Sequence, residues 1–151
     1  MSTSTVLRDY ALIADPESIP LSVRLSHTAK SVAIFDAYPK SIFHILVLPR
    51  VISPLTVSDL ASLRSLLRNK QRAKAVLLEL AEHAKNVRDT IEEEMMSRYG
   101  FKWGIWTGFH AVPSLTLVLW SSIVLSSTLT LIHLIDTFIC TSSRTICAAQ
   151  L

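Results

Sequence analysis

Two short apolar runs separated by a polar turn lie in the first third of the chain. Ser31–Phe35 and residues 42–48 are rich in aliphatic and β-branched side chains, which favours two strands. Between them, Asp36 favours the start of a turn, and Pro39 keeps Tyr38 out of helical geometry. The pattern predicts a hairpin that is closed by the sequence Tyr-Pro-Lys.

A 3.6-residue rhythm of apolar positions follows and predicts helices. Thr56 and Asp59 have the spacing of a capping box, Gly100 is a suitable helix stop, and a loop near Asn69 would separate two helices. The stripe drifts with the helical period and contains alanines, which favours packing on a sheet over a coiled-coil arm. Two strands followed by helices predict an α+β domain. The apolar stripe comprises Val76, Leu77, Leu80, Ala84, Val87, Ile91 and Met95.

The flanks of this pattern are less regular. Residues 6–14 are a short helical candidate, and residues 101–113, which are aromatic and punctuated by glycine, predict a short strand and a loop. The 151 residues suffice for one domain, and an apolar content of 50% argues against disorder. Cys140 and Cys147 lack the spacing of a zinc or redox motif, so no metal site is predicted. The scarcity of cysteine favours an intracellular protein.

A run of basic residues without an intervening acid is the first candidate for chemistry. The formal net charge of +3 gives only a weak preference for an anionic partner. The run is either a phosphate-contacting patch, which would suit DNA, or the solvated face of a helix whose acids lie further along the chain. Its members are Arg64, Arg68, Lys70, Arg72 and Lys74.

Three further residues are candidates for ligand contacts. Lys40 follows a proline turn between two strands, where an ammonium can reach a phosphate, although most turn lysines are simply exposed. His44 lies within an apolar strand and is expected to be a structural hydrogen-bonding group. His110 lies in a loop between Gly108 and Pro113, where the restricted backbone suits a ligand contact.

Two segments together resemble the aprataxin branch of the histidine-triad (HIT) superfamily. Residues 36–50, DAYPKSIFHILVLPR, resemble the family segment D-x-x-P-K-x-x-x-H-x-L-x-L-P. Residues 108–114, GFHAVPS, resemble the segment that leads into the catalytic triad of the family. The resemblance implies an α+β fold, in which a HIT-like antiparallel sheet carries packed helices. It also implies a hydrolase that removes AMP from adenylated DNA 5′ ends in single-strand break repair.

The same resemblance implies roles for individual residues. Asp36 would bind the ribose hydroxyls, and Lys40 would contact the phosphate or the DNA end. His44 would brace the strand that carries the site. His110 and Ser114 would hold the AMP phosphate, which a triad histidine attacks to form a histidine–AMP intermediate.

The chain departs from the family after Ser114. The family continues into His-x-His-x-His, whereas residues 115–120 read LTLVLW, and His133 stands alone among apolar neighbours. We therefore expect no catalytic residue, an inactive site and a fold that is incomplete at its C-terminal end. Zinc is not expected either, because the zinc finger of full-length relatives is missing. The expected organisation is an N-terminal extension (1–26), a partial HIT-like domain (27–114) and an aberrant apolar tail (115–151).

A shift of reading frame recovers the missing histidines. Residues 137–151 read TFICTSSRTICAAQL. When the reading frame is shifted back by one nucleotide, the degenerate codons of this segment permit the sequence His-Leu-His-Leu-His-Val-Ile-Ser-Tyr-Asp-Leu-Arg-Ser-Ser-Thr. The shifted codons at the three histidine positions can encode only histidine or tyrosine. We therefore expect residues 115–136 to be translated intron and the rest to be exon read out of frame. A genomic sequence without a splice acceptor just upstream of Thr137 would contradict this expectation.

A competing interpretation takes the tail at face value. Residues 111–135 carry no fully charged side chain and are long enough for one bilayer crossing of about 20 residues. Trp120 would mark an interface, whereas the many serines and threonines and His133 argue against insertion. The chain would then be a membrane-anchored, non-catalytic protein that binds nucleotides or a partner.

A third interpretation concerns the substrate. A broader dinucleotide or nucleoside-phosphoramidate hydrolase of the same superfamily is disfavoured by the Tyr-Pro-Lys and GFHAVPS segments. The favoured reading gives adenylated or nicked DNA and AMP as partners, no cofactor, and the nucleus as the location.

Overall fold

A computed structural model of the chain describes residues 3–109 and 120–124. Within these residues, five strands form one antiparallel sheet in the order β1-β2-β3-β5-β4, and helices cover both of its faces. The predicted α+β class is confirmed. The helices are α1 (Thr3–Leu12), α2 (Val57–Leu60), α3 (Leu63–Leu66) and α4 (Lys70–Tyr99), and the strands are β1 (Arg24–His27), β2 (Ser31–Phe35), β3 (His44–Pro49), β4 (Ile105–Phe109) and β5 (Trp120–Val124).

The predicted hairpin is present as β2 and β3. The pairing runs from Ser31 opposite Pro49 to Phe35 opposite Ile45. The second strand begins two residues later than the apolar run predicts, because residues 41–43 extend the turn. There the Ser41 hydroxyl donates to the carbonyl of Phe43 at 2.8 Å. Residues 36–43 therefore form the turn at the tip of the hairpin.

Strand β3 lies between two hydrophobic cores, which explains its continuous apolar sequence. Leu46 and Leu48 pack with residues of α1 and of the α2–α3 region. Ile45 and Val47 project to the other face and pack against α4. Every residue of β3 is buried, so the hairpin has a rigid base from which its tip projects.

Helix α4 packs on one face of the sheet from Leu80 to Met95, and Ala73 near its start belongs to the other core. Asn69 caps its first turn by accepting from the N–H of Arg72, so the predicted loop near Asn69 is reduced to a helix boundary. Gly100 ends the helix with a left-handed φ of 74°, as a glycine stop predicts. Leu80, Val87 and other stripe residues are buried against the sheet, so α4 is a core helix and not a coiled-coil arm.

Residues 7–19 of the N-terminal segment pack onto one of the two cores of the domain. Leu7 and Ala11 of α1 are buried together with Ile19. Strand β1 then joins the edge of the sheet beside β2. Its sequence, Arg-Leu-Ser-His, is too polar to have predicted a strand.

The sequence predicts a fold that is incomplete at its C-terminal end, whereas the described residues include a strand from that region. The position between β3 and β4 is filled by Trp120–Val124, a part of the expected apolar tail. This strand reads Trp-Ser-Ser-Ile-Val and contains no histidine. Among the helices of the described residues, none has both the length and the apolar character needed to cross a bilayer.

Candidate nucleotide-binding site

The candidate site begins at the tip of the β2–β3 hairpin, where Asp36 and His44 lie side by side. The N–H of Asp36 donates to the carbonyl of His44 at 3.0 Å, which continues the ladder one pair beyond β2. The side chains meet over this pair, with His44 Nδ1 at 3.0 Å from Asp36 Oδ2. The His44 side chain is 2% exposed and that of Asp36 is 17% exposed, so the carboxylate is the member that reaches solvent.

His44 Nδ1 has two neighbours, and it would have to accept a hydrogen bond from one and donate a hydrogen bond to the other. The backbone N–H of Lys40 points at Nδ1 from 3.3 Å and requires an acceptor, whereas the Asp36 carboxylate requires a donor. A protonated ring nitrogen cannot accept a hydrogen bond. The contact with the carboxylate is shorter and charge-assisted, so we assign the proton to Nδ1. Asp36 then fixes the ring of His44, and the ring holds the carboxylate in place.

The turn between the two strands supplies the remaining groups at the tip. The N–H of Tyr38 donates to Asp36 Oδ1 at 2.9 Å, so both carboxylate oxygens are oriented. Tyr38 itself is 71% exposed. Lys40 is exposed and forms no ion pair with any residue in the described part of the chain. An ordered carboxylate and an exposed lysine in the same turn are suited to a ligand that carries hydroxyls and a phosphate.

The register of the sheet extends this site toward its far edge. His44 pairs with Ile123, which in turn pairs with Trp106. Directly paired residues project to the same face of a sheet, so His44 and Trp106 lie on one face. Trp106 is 53% exposed, and that face therefore has an accessible aromatic surface on β4.

Two of the predicted site residues, His110 and Ser114, lie outside the described residues. The last described residue before them is Phe109, at the end of β4. Phe109 pairs with Trp120, and Trp120 pairs with Val47 of β3. The end of β4 is thus level with Val47, further along β3 than His44. The hairpin brings Asp36, Lys40 and His44 together, and their relation to His110 and Ser114 stays a prediction.

The predicted basic patch forms around the start of α4. Arg64 lies in α3, Arg68 in the short link that follows, and Lys70, Arg72 and Lys74 in the first turns of α4. All except Arg72 are exposed.

Arg72 is the member of the patch that has an acidic partner. Its Nη1 lies 3.3 Å from Asp59 Oδ2. The predicted capping box is present, and its hydrogen bonds from Thr56 are the main reason that the pKa of Asp59 is lowered; Arg72 adds a smaller effect. Most of the patch is therefore available to an anion.

The patch borders a groove at the other end of the hairpin from Asp36. Lys30, Arg50 and Arg72 line this groove together with Ile52 and Leu55. The guanidinium of Arg50 already donates to the carbonyls of Ala29 and Ala14 at 2.8 and 2.7 Å. At about 3.4 Å of rise per residue, the two ends of the hairpin are separated by about 14 Å. The nucleotide tip and the basic patch are therefore two surfaces and not one.

A polar cluster under α4 was missed by the sequence reasoning. His83 is 3% exposed and contacts the hydroxyls of Ser26 and Ser31 through its two ring nitrogens. Burial lowers the pKa of His83, an effect that Glu79 opposes. A signal was present, because His83 falls in register with the apolar stripe between Leu80 and Ala84. A histidine inside such a stripe must be buried with hydrogen-bond partners.

No group of three or more metal-binding side chains occurs within residues 3–109 and 120–124. Both cysteines lie outside these residues.

Comparison with known proteins found a curated relative of similar sequence. No family model matches the chain. It is 34% identical over 105 residues to a HIT domain-containing protein of Dictyostelium discoideum, and this alignment covers 66% of the chain and 23% of that protein. The chain thus corresponds to a small part of this relative.

Solved structures of low sequence identity share the fold. Hnt3 in complex with DNA and guanosine matches with a TM-score of 0.57 and 20% identity over 78% of this chain and 59% of that chain. The aprataxin ortholog Hnt3 in complex with DNA matches with a TM-score of 0.53 and 21% identity over 81% and 60%. A histidine triad protein from Clostridium difficile matches with a TM-score of 0.52 and 16% identity over 84% and 96%. The chain spans less than two thirds of the Hnt3 chains.

Proposed function

Since the chain has the fold of the histidine-triad superfamily, as its sequence predicts, we propose that it is an aprataxin-like protein of DNA single-strand break repair. The activity of this lineage would be removal of AMP from adenylated DNA 5′ ends. In this chain the adenylated DNA end would be bound, but AMP would not be cleaved from it. The protein would therefore be inactive as a hydrolase. The observation that carries the proposal is the presence of an ordered Asp36–Lys40–His44 tip beside an interior strand, β5, that has no histidine.

The geometry of the tip supports nucleotide binding. The Asp36 carboxylate is held by the N–H of Tyr38 and by His44, so it is preorganised to accept hydrogen bonds from ribose hydroxyls. Lys40 is exposed beside it and would meet the phosphate as a point charge. His44 is buried and acts on the ligand only through Asp36.

The missing nucleophile limits the chemistry that the tip can perform. In the proposed reaction an imidazole attacks the AMP phosphorus, displaces the DNA 5′ phosphate and is later released by water. Strand β5 lies between β3 and β4 and has the residues Trp-Ser-Ser-Ile-Val, none of which carries an imidazole. Groups that only orient the phosphate leave a small residual acceleration once the nucleophile is removed.

DNA is proposed as the second partner. Two similar structures were solved as complexes with DNA. In this chain the exposed cations Arg64, Arg68, Lys70 and Lys74 would contact phosphates, and this contact would make binding sensitive to salt.

A binding experiment tests the proposal at the tip. A fluorescent nicked duplex with an adenylated 5′ end would be titrated with the full chain, followed by fluorescence anisotropy. Asp36→Asn and Lys40→Gln should each weaken binding by about 10- to 100-fold, because each removes a charge-assisted contact of about 1.5–3 kcal/mol. Lys85→Gln removes an exposed cation from the middle of α4 and serves as the matched control.

The same titration with an unadenylated duplex shows whether the tip variants lose recognition of the AMP group. Both tip variants should lose the preference for the adenylated end, whereas Lys85→Gln should keep it. Equal affinities of the wild type for the two duplexes would contradict nucleotide recognition at the tip.

The nucleus is the proposed location, and imaging of a fluorescent fusion tests it. A signal on internal membranes would favour the membrane-anchored alternative.

A further inference from the structure

Ser53 lies in the loop between β3 and α2 and lines the groove that the basic patch borders. Ser53 and its neighbours Ile52 and Pro54 are exposed. The hydroxyl of Ser53 forms no hydrogen bond with any residue in the described part of the chain. The fold itself therefore makes no use of this hydroxyl.

The sequence around Ser53 occurs once in the chain. It reads Arg-Val-Ile-Ser-Pro, with an arginine three residues before the serine and a proline directly after it. No other serine or threonine of the chain has an arginine or lysine three residues before it, and no other is followed by proline. Serine/threonine protein kinases commonly select their substrates by one of these two features. Ser53 is the one hydroxyl of the chain that has both.

The groove beside Ser53 carries more positive than negative charge. Three cations and one acid line it: Lys30, Arg50, Arg72 and Glu79. Neither Lys30 nor Arg50 forms an ion pair with any residue in the ranges 3–109 and 120–124. The guanidinium of Arg50 is fixed by neutral carbonyl groups, so its position is set while its charge is not neutralised. An anion in the groove would meet a preorganised cation.

The other two charged residues of the groove limit what it can hold. Arg72 already shares its charge with Asp59 at 3.3 Å. Glu79 would repel an anion, and its Oε1 is held away from free rotation by the hydroxyl of Thr28, which donates to it at 2.9 Å. We therefore expect Lys30 and Arg50 to be the main partners of an anionic group.

We propose that Ser53 is a phosphorylation site and that the groove receives its phosphate. In this reaction Ser53 Oγ forms a bond to the γ-phosphorus of ATP, and the bond from that phosphorus to the ADP oxygen breaks. ADP leaves with the electron pair, and the hydroxyl proton passes to a base of the protein kinase. The product carries a charge of about −1.5 to −2 at pH 7 and forms charge-assisted hydrogen bonds with cations opposite it.

Phosphorylation would regulate the neighbouring basic patch, a consequence that rests on the proposed function. Arg72 belongs both to the groove and to the patch. Charges within about 10 Å of one another interact at ordinary salt concentrations. A phosphate in the groove would therefore oppose the contact of the patch with DNA.

A phosphorylation experiment tests whether Ser53 is accessible in the folded protein. The full chain would be incubated with ATP and a kinase that selects arginine three residues before the serine, and the phosphate would be mapped by mass spectrometry. Ser53 should be modified, and Ser53→Ala should lose most of the incorporated phosphate. The proposal is overturned if Ser53 stays unmodified while the same kinase modifies it in a peptide of residues 47–59.

A phosphorus NMR titration tests whether the groove holds the phosphate. Phosphoserine would be incorporated at position 53 or, as a control, at position 97, an exposed serine near the other end of α4. The pKa of the phosphate should be lower at position 53, because Lys30 and Arg50 favour the dianion more than Glu79 opposes it. Lys30→Gln should raise this pKa, whereas Lys85→Gln should leave it unchanged. Equal pKa values at the two positions, or no response to Lys30→Gln, would contradict the proposal.

DNA binding by the same two phosphorylated chains tests the regulatory consequence. Phosphoserine at position 53 should weaken binding of the nicked duplex about three- to tenfold more than phosphoserine at position 97, because it opposes about one cationic contact. Equal affinities would exclude the regulatory effect. Failure of the unmodified chain to bind the duplex would count against the proposed function, and the phosphorus titration would still decide the phosphate site.

Discussion

Among the residues that the structure describes, two histidines are buried, one on each face of the sheet, and their surroundings are opposite. His44 lies at the hairpin tip beside a carboxylate that reaches solvent. His83 lies under α4 between two serine hydroxyls, and the carboxylate of Glu79 is reached only through Ser31 and Thr28. Their exposures, 4% and 3%, are nearly equal.

The difference shows that burial alone does not assign a role to a histidine. The partner of His44 has an open side, so His44 can position a group that binds a ligand. The partners of His83 are neutral hydroxyls in a helix–sheet interface, so the ring fastens α4 to β1 and β2.

The largest effect is expected from deleting the ring under α4. His83→Ala would leave a cavity and remove one hydrogen bond from each of two serine hydroxyls, Ser26 and Ser31, which should lower the free energy of unfolding by about 3 kcal/mol. Urea unfolding monitored by circular dichroism measures this change. Lys85→Ala, an exposed site on the same helix, should stay within about 0.5 kcal/mol of the wild type. A loss below about 1 kcal/mol for His83→Ala would show that the network does not fasten the helix.

Removal of the other ring should have a smaller effect. His44→Ala should lower the free energy of unfolding by about 2 kcal/mol, since Asp36 can turn to water when its partner is lost. The change should be local, so hydrogen exchange at the amide of Tyr38 should accelerate more than exchange at Leu80. Equal acceleration at both amides would mean that His44 supports the whole fold rather than the tip.

The pH dependence of stability should separate the two faces further. Burial lowers the pKa of His83 below its ordinary value of 6.5, with Glu79 opposing and His27 adding to the shift. Between the two pKa values the unfolded chain binds a proton that the folded chain does not. The contribution of neutral His83 to the free energy of unfolding is therefore complete above pH 6.5. It is lost as the pH falls toward the pKa of His83 in the folded chain. Urea midpoints from about pH 7.5 to about pH 5 should fall less steeply for His83→Gln than for the wild type.

The sequence pattern predicts most of the sheet and helix framework and less of the polar chemistry. Ser31–Phe35 and the Gly100 stop were predicted at their observed positions, because one local signal decides each. Strand β1 was missed because its stability comes from pairing with β2 and not from its own residues. The contact of Asp36 with His44 could not be derived from composition, since it depends on the one-pair extension of the ladder. Ser26 and His83 are 57 residues apart, a separation that no local pattern bridges.

The smallest effect is expected at the basic patch, away from both histidines. Arg72→Gln removes a partly exposed ion pair with Asp59 and should change the free energy of unfolding by less than about 1 kcal/mol. If the patch contacts DNA, Lys74→Gln, which removes an exposed cation of the patch, should decrease the slope of log affinity against log salt concentration by about 1. Arg98→Gln at the other end of α4 should leave this slope unchanged. An unchanged slope for Lys74→Gln would remove Lys74 from the interface.

Release of AMP from an adenylated nicked duplex shows whether this polypeptide lacks the group that attacks the AMP phosphorus. This chain would be compared with one in which Ser114 continues, through one or two residues, into the histidine-bearing segment of the alternate reading frame. The account predicts that the present chain binds the duplex without releasing AMP and that the restored chain releases it. Release by the present chain, at a rate well above that of its His110→Ala variant, would contradict the claim that this polypeptide lacks its attacking group.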